Sequence, residues 1–419
     1  MSKDIVESEF EAGGITKHLE NWKNITSDPF ILNMVKGAQI PLENHNFYCN
    51  NSRKNNISEN EYPIIDREIQ RLLKLKVIER SEHEEGEIIS PIFAVPKSDG
   101  TSRIILNLKK FNESVEYEHF KMENVMTAIH MIRRGCFMAS VDLRSAYYSV
   151  SVEKEDRKYL KFCWNGQLFQ YTCFPNGLSN CPRYFTKLMK PVYACLRSKG
   201  HLSTAYIDDS FLQAQSFEEC LQNVKDTVFL LQSLGFVVHA EKSELYPCHE
   251  LKYLGFIFNS VDMTIRLTNE KAQKIKKAGV KIRNKAECSI REVAQFIGLC
   301  VASFPAVRWG PLHYRQLEKL KSVSLKENRG NFEALIQLND QAIKEIDWWI
   351  NNIMSAYAPL EATYPEVEIR TDASTSGGWG AVCNKIEIGG RWKEDEKELN
   401  INCLELMAIE YALKSFKKR

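Results

Sequence analysis

Hydrophobic positions along this chain recur in two alternating rhythms. Between residues 63 and 80, Ile65, Ile69, Leu72, Leu73 and Val77 return at helical spacing with Glu and Arg between them, which predicts an amphipathic helix. Two short apolar runs follow, Ile92 to Pro96 and Arg103 to Leu106, around the turn-forming Ser98-Asp99-Gly100; they predict a hairpin flanked by Lys97 and Arg103. Residues 121–135 carry Val125, Ile129 and Ile132 on one helical face, and a strand-like run then ends at Asp142. A second hairpin is predicted around Asn165-Gly166, a dipeptide suited to tight turns. A helix opens at Pro182 with Phe185, Leu188, Met189 and Val192 inside. Apolar residues 202–207 and the run from Ser210 to Gln213 read as a hairpin with Asp208-Asp209 at its turn.

Beyond it, 217–234 is amphipathic, and 268–330 is largely helical with a basic run of Lys271, Lys274, Lys276, Lys277, Lys281, Arg283 and Lys285. Ser289 with Glu292 three residues on has the form of a helix cap. The last pattern is a strand from Val367 to Ser374, a glycine-rich run from Gly377 to Val382, and a helix opening near Asn402. The first 60 residues are mixed and polar, with loop signals at Gly13-Gly14 and Asp28-Pro29 and room for one or two short helices; they read as a leader.

A chain of 419 residues with 44% apolar content can bury ordinary cores. The net charge is only +2, so contacts to nucleic acid would depend on local basic patches. The 12 cysteines show no Cys-x-x-Cys pair, which argues against zinc, and scattered reduced thiols suit an intracellular protein, cytoplasm and nucleus remaining open. No apolar run approaches the length of a membrane span.

Candidate chemistry lies in three carboxylates. Asp208 and Asp209 are adjacent at a predicted turn, and Asp142 ends another short strand. An Asp-Asp pair alone is ordinarily solvated turn chemistry. Two strands side by side would bring all three together, and hard oxygens gathered that closely suit Mg²⁺ and two-metal transfer of a nucleotidyl group.

Three stretches carry a more specific signal: Val141-Asp142-Leu143-Arg144-Ser145-Ala146-Tyr147-Tyr148, then Phe174-Pro175-Asn176-Gly177-Leu178, then Tyr206-Ile207-Asp208-Asp209. In order and spacing they resemble successive motifs of reverse transcriptases. The resemblance implies an α+β, right-hand polymerase fold, with a leader at 1–60, fingers and palm at 61–265, thumb and connection at 266–365, and a partial ribonuclease H-like segment at 366–419. It implies an RNA-directed DNA polymerase that adds deoxynucleoside triphosphates to a primer on an RNA or DNA template. The cofactor would be two Mg²⁺, with Mn²⁺ as a substitute. Asp142, Asp208, Asp209 and the backbone at Leu143 would form the metal site.

By the same resemblance Lys97 and Arg103 would grip the triphosphate, as would Lys242, which matches a lysine that can protonate pyrophosphate. Tyr147 would exclude a 2′-hydroxyl, which disfavours an RNA polymerase. Asn176 stands where many relatives have Phe or Gln beside the nucleotide, and Asn107-Leu108 departs from the commonest fingers pattern. Tyr253-Leu254-Gly255-Phe256 resembles the primer-grip hairpin, with Leu254 and Gly255 at its tip. The basic run after 268 would track a duplex backbone. Trp22 and Val35-Lys36-Gly37 in the leader resemble DIRS-type retrotransposons, related to the gypsy-like group. In the last segment Asp372 and Glu405 would occupy two metal-ligand positions of a ribonuclease H site whose next aspartate falls beyond Arg419, so no nuclease activity is expected of it. The competing reading is a catalytically silent or domesticated fragment that scaffolds nucleic acid. Oligomeric state is open.

Overall fold

The computed structural model describes residues 10–43, 57, 61–96, 102–361 and 367–417. The chain divides into two units, Met1–Leu360 and Glu361–Arg419.

The first unit is built on an antiparallel sheet of four strands: β1 (Phe137–Asp142), β2 (Leu202–Tyr206), β3 (Asp209–Ala214) and β4 (Glu244–Cys248), in the order β2-β3-β1-β4. Val141, Phe211 and Leu212 are fully buried, so these strands cannot slip by one residue without exposing apolar side chains. Helices α1 (Tyr62–Lys74), α2 (Val125–Met131), α3 (Cys181–Ser198) and α4 (Phe217–Ser233) belong to this part, along with two short ones, Leu19–Lys23 and Pro29–Lys36. α4 starts on a capping box between Ser216 and Glu219, and α2 on one between Asn124 and Thr127. The helix predicted over 63–80 stops at Lys74, because Lys76 takes a positive φ of 57° and the chain turns into the strand Ile78–Arg80. The one predicted over 121–135 is likewise shorter, confined by its cap at Asn124 to seven residues.

The polar first stretch is, over its described part, built into this core. Trp22 is fully buried and its indole Nε1 donates to the carbonyl of Leu234 at 3.0 Å, 212 residues away. Gly13 N–H donates to Tyr148 C=O at 2.8 Å, and Ala38 forms a parallel bridge with Val152. Gly235, with φ of 91°, admits this segment: a Cβ there would lie 2.7 Å from His18 Cδ2 and 2.8 Å from the carbonyl of Gly14.

A second four-stranded sheet runs β5 (Glu250–Tyr253), β6 (Phe256–Asn259), β7 (Thr264–Leu267) and β8 (Tyr357–Pro359), antiparallel throughout. With helices α5 (Asn269–Arg283), α6 (Ile290–Val301) and α7 (Asp340–Asn352) it encloses a core around Phe258, Phe296, Ile346 and Trp349. The Ser289–Glu292 capping box at α6 is present, with Ser289 Oγ accepting from Glu292 N at 3.2 Å.

The second unit is a three-stranded antiparallel sheet, β9 (Ile369–Ser374), β10 (Gly378–Cys383) and β11 (Ile386–Gly390), with helix α8 (Ile401–Phe416). Its core is small: Trp392, Leu404 and Ala408, with Ala373, Trp379, Met407 and Tyr411 partly buried against them.

Replacing Trp22 by Ala should destabilise the first unit by about 3–5 kcal/mol, since it empties a large buried volume and orphans the Leu234 carbonyl. Denaturant titration followed by tyrosine and tryptophan fluorescence would measure this; an unchanged midpoint would show the segment to be an appendage.

Candidate functional site

The pairing of β1 with β3 sets Asp142 directly opposite Asp209. Tyr206 also pairs with Asp209, so the hairpin between β2 and β3 closes on two residues, Ile207 and Asp208. The predicted turn is therefore displaced by one residue: Asp209 begins the strand, and Asp208 alone of the two occupies the loop. Ile207 has a φ of 56° and Asp208 a negative one, the pattern of a type II′ turn, in which a β-branched residue at the first position is strained.

Asp142 and Asp208 line a cleft of about 440 Å³ together with Arg71, Arg103, Leu143, Arg144, Tyr147, Tyr148, Asn176, His239 and Lys242. Asp209 stands behind it, and its carboxyl shares a hydrogen bond with that of Asp142. Burial raises the pKa of all three groups, and repulsion between the carboxylates adds to it. Asp209 is pushed up to about 6 by burial and by Asp142. Lys242 opposes the rise at all three, and Arg103 also does so at Asp208.

Backbone contacts hold the group in place. Ser243 Oγ accepts from Asp142 N at 2.9 Å, Leu143 N donates to Asp208 C=O at 3.0 Å, and His239 N donates to Asp142 C=O at 2.8 Å.

Among the described residues no three His, Cys, Asp or Glu side chains converge as a ready-made metal cage. Asp142 and Asp208 thus line the cleft, and the Asp209 carboxyl is held beside them by its hydrogen bond to Asp142. The donor set still suits a hard dication: two half-buried carboxylates whose charge burial disfavours would be relieved by one.

Of the residues expected around a nucleotide, Arg103, Tyr147, Asn176 and Lys242 line this same cleft. Lys97 lies outside the described residues. Tyr147 stacks edge-on to Phe185 at 5.7 Å between centroids, which fixes its ring against the cleft wall. Asn176 Nδ2 donates to the buried Tyr148 hydroxyl at 3.0 Å. Leu254 and Gly255 form the two-residue turn between β5 and β6, with φ of 49° and 77°. They do not line the cleft, but their hairpin touches the site, as Tyr253 Oη donates to the Asp209 carbonyl at 3.3 Å.

Lys271 belongs less to a phosphate-tracking face than its neighbours. Its ammonium sits 3.8 Å from the centroid of Phe256, beside Gly255, and burial lowers its pKa. In the second unit Asp372 is exposed and Glu405 half-buried, and no third His, Cys, Asp or Glu joins them among the described residues.

Arg71 was missed by the sequence reading, which took its helix as structural. Its guanidinium makes two 2.7 Å bonds to Glu68, a nearly buried carboxylate. An Arg-Glu pair three apart on a helix gives no sign of facing a cleft. Arg144 stood inside a recognised motif without a role assigned to it, and His239 lies three residues before Lys242.

The chain has relatives among known proteins. Residues 95–258 match the family model described as reverse transcriptase (RNA-dependent DNA polymerase). This stretch is related to the reverse transcriptases. Over 167 residues the chain is 28% identical to the Pro-Pol polyprotein of Simian foamy virus type 3 (strain LK3), covering 40% of this chain and 14% of that protein. It is 24% identical to a putative enzymatic polyprotein of Cassava vein mosaic virus, over 85% of this chain and 55% of the relative. The Transposon Tf2-3 polyprotein of Schizosaccharomyces pombe is 25% identical over 45% of this chain and 14% of its own length. The chain therefore spans from 14% to 55% of these relatives.

Among solved structures, a foamy viral protease-reverse transcriptase in complex with double-stranded DNA aligns with a TM-score of 0.66 at 17% identity, over 98% of this chain and 74% of that one. The same enzyme with an RNA/DNA hybrid gives 0.63 at 17% identity, over 96% and 55%. The mixed α+β fold of a foamy viral reverse transcriptase is thus matched over nearly the whole chain. Among the described residues, no helix of this reverse-transcriptase relative is long and apolar enough to cross a membrane.

A raised carboxyl pKa means that the folded protein holds the proton more tightly than the unfolded chain. Asp209 therefore costs no stability below about pH 4, costs progressively more as the pH rises to about 6, and keeps that cost above it. Asp209→Asn should accordingly stabilise the protein at pH 7.5 by about 1–2 kcal/mol, discounted for partial solvent screening, with the gain fading between about pH 6 and pH 4 and absent below. Thermal melts of both proteins across pH 3.5–8 test this; a gain independent of pH would contradict the electrostatic account.

Proposed function

We propose that this chain is the polymerase part of a retroelement polyprotein of DIRS-type or gypsy-like kind, extending a DNA primer on an RNA or DNA template. The observation that carries this reading is the cleft itself. It holds two carboxylates whose ionisation burial resists, facing three arginines and a lysine. Such a mixture suits a polyanionic substrate accompanied by Mg²⁺.

Asp142 and Asp208, with the backbone near Leu143, would hold the metal pair, and Asp209 would tune Asp142 through their shared hydrogen bond. When bound, the metals supply charge neutralisation for the triphosphate and activation of the primer 3′-hydroxyl. Arg103 orients the triphosphate with a planar, bidentate-capable group, and Lys242 is placed to give a proton to the leaving pyrophosphate. Tyr147, braced by Phe185, closes the space a 2′-hydroxyl would need. The Leu254-Gly255 turn is the candidate primer grip, tied to the site through Tyr253.

In this reading 61–265 forms fingers and palm, 266–365 thumb and connection, and 366–419 a ribonuclease H-like segment. Relatives solved with double-stranded DNA and with an RNA/DNA hybrid support a duplex as the partner.

Primer extension on a homopolymeric RNA template with a DNA primer and Mg²⁺ tests the assignment. The wild-type chain should extend the primer, and Asp208→Asn should fall to background. Tight duplex binding without extension by the wild type would transfer the assignment to a nucleic-acid scaffold. Tyr147→Ala should reduce the preference for deoxynucleotides over ribonucleotides by at least about tenfold, a loss of more than about 1.4 kcal/mol in discrimination; unchanged selectivity would remove Tyr147 from the sugar pocket.

A further inference from the structure

Among the described residues β2 is an edge strand: it pairs with β3 on one side and with no strand on the other. It also leads directly into Ile207 and Asp208. The pair closing the two-residue loop, Tyr206 with Asp209, exchanges its hydrogen bonds inward. By alternation, the backbone groups of Ala205 and Ser203 point outward from the free edge. Unsatisfied groups there would cost stability and let the strand fray.

Two charged side chains from elsewhere take the place of a missing strand. Glu123, just ahead of α2, accepts from Ala205 N–H at 3.1 Å and from Thr204 Oγ1 at 2.5 Å. Arg197, near the end of α3, donates to the Ser203 carbonyl at 2.9 Å and to Glu123 at 3.0 Å. Burial alone would raise the Glu123 carboxyl; the bonds from Thr204 and Ala205 and the Arg197 guanidinium outweigh it and hold the pKa below its ordinary value. Inside the hairpin, Tyr193 on α3 bonds Ser210, the cross-strand neighbour of Ala205, at 2.5 Å. Beside this edge, Glu123, Arg197, Ala205 and Ile207 line an open cavity of about 350 Å³.

We propose that the Glu123–Arg197 ion pair is an edge clamp that positions the Ile207-Asp208 turn. Both are positioning residues: they act on Asp208 through the backbone of β2 and touch no reacting group. This rests on the polymerase reading for its kinetic consequence, but not for its structural one. A surrogate strand at residues 203–205 restrains a strained turn beginning two residues later. Its loss lets the turn relax and moves Asp208 relative to Asp142. Misplacement on the order of 1 Å can cost about a hundredfold in rate.

The experiment compares wild type, Glu123→Ala and the near-isosteric Glu123→Gln by hydrogen exchange of the peptide spanning 202–211, thermal melting, duplex affinity and primer extension. Glu123→Ala should speed exchange in 202–211 by at least about tenfold while other segments of the central sheet keep their protection. In extension, kcat should fall by about tenfold or more, with the nucleotide KM and duplex Kd within about twofold of wild type. Glu123→Gln keeps an acceptor for Ala205 N–H but loses the charge facing Arg197, so its exchange and kcat should lie between the two.

Unchanged exchange at 202–211 in both variants would overturn the clamp. So would a kcat equal to wild type despite faster exchange, or a uniform loss of protection in Glu123→Gln. A wild-type chain that does not extend primers would overturn the polymerase reading alone, since the exchange comparison still decides the clamp.

Discussion

The first unit is arranged around an unfavourable contact, two carboxyls facing each other across the register of an antiparallel pair. Like charges directly opposite in a sheet destabilise it, and burial makes Asp142 and Asp209 worse neighbours still. Much of the nearby structure offsets that cost. Ser243 bonds the Asp142 amide, Tyr253 the Asp209 carbonyl and Leu143 the Asp208 carbonyl, so the backbone cannot retreat. Lys242 supplies countercharge to all three carboxyls and Arg103 to Asp208. Stability is given up at the site and recovered in the large apolar core beneath it, as expected where a protein keeps a charge configuration for its chemistry.

Three strands of the central sheet, β1, β2 and β3, were legible in the chain because they are short, mostly apolar runs, and because β1 and the hairpin each meet an aspartate at their ends; β4, with its polar Glu244 and Pro247, was not. What local pattern could not give was the register. Whether Asp209 lies in the loop or on the strand depends on its pairing with both Tyr206 and Asp142, a property of three segments together. The first stretch showed its two short helices but not their burial. Trp22, Ile31, Met34 and Val35 are buried, yet they lie among polar residues in pieces of five and eight helical residues, too short for periodicity to mark a buried face. Their partners, such as Leu234, are some 212 residues away in sequence. Arg71 and Glu123 are illegible in the same way, since each looks like an ordinary surface charge until the fold supplies the cleft or the strand edge beside it.

The second unit shows the opposite balance. Its strand and helix were plain from the pattern at Val367 to Ser374 and from Asn402 onward, and both are present. Its chemistry is less developed than its fold. Ala373 packs toward the small core, and the alternation of a strand puts Asp372 on the other face, in solvent. Asp142 differs in its surroundings: it ends β1 half-buried at the cleft, whereas Asp372 lies within β9 and is exposed.

Strain and restraint meet at Ile207. A β-branched residue with positive φ costs about 1–2 kcal/mol or more, and glycine would remove that cost. The turn holds because both strands leaving it are fixed, β3 by its pairing with β1 and β2 by the groups on its free edge. A residue in this backbone state projects its side chain differently from one in a relaxed turn, and here Ile207 belongs to the walls of both the cleft and the cavity along the edge. The same turn therefore places Asp208 against Asp142 and separates the nucleotide cleft from the edge beyond. Relaxing it would change both walls at once, which is why an exposed-looking ion pair on the far side of β2 bears on chemistry it does not touch.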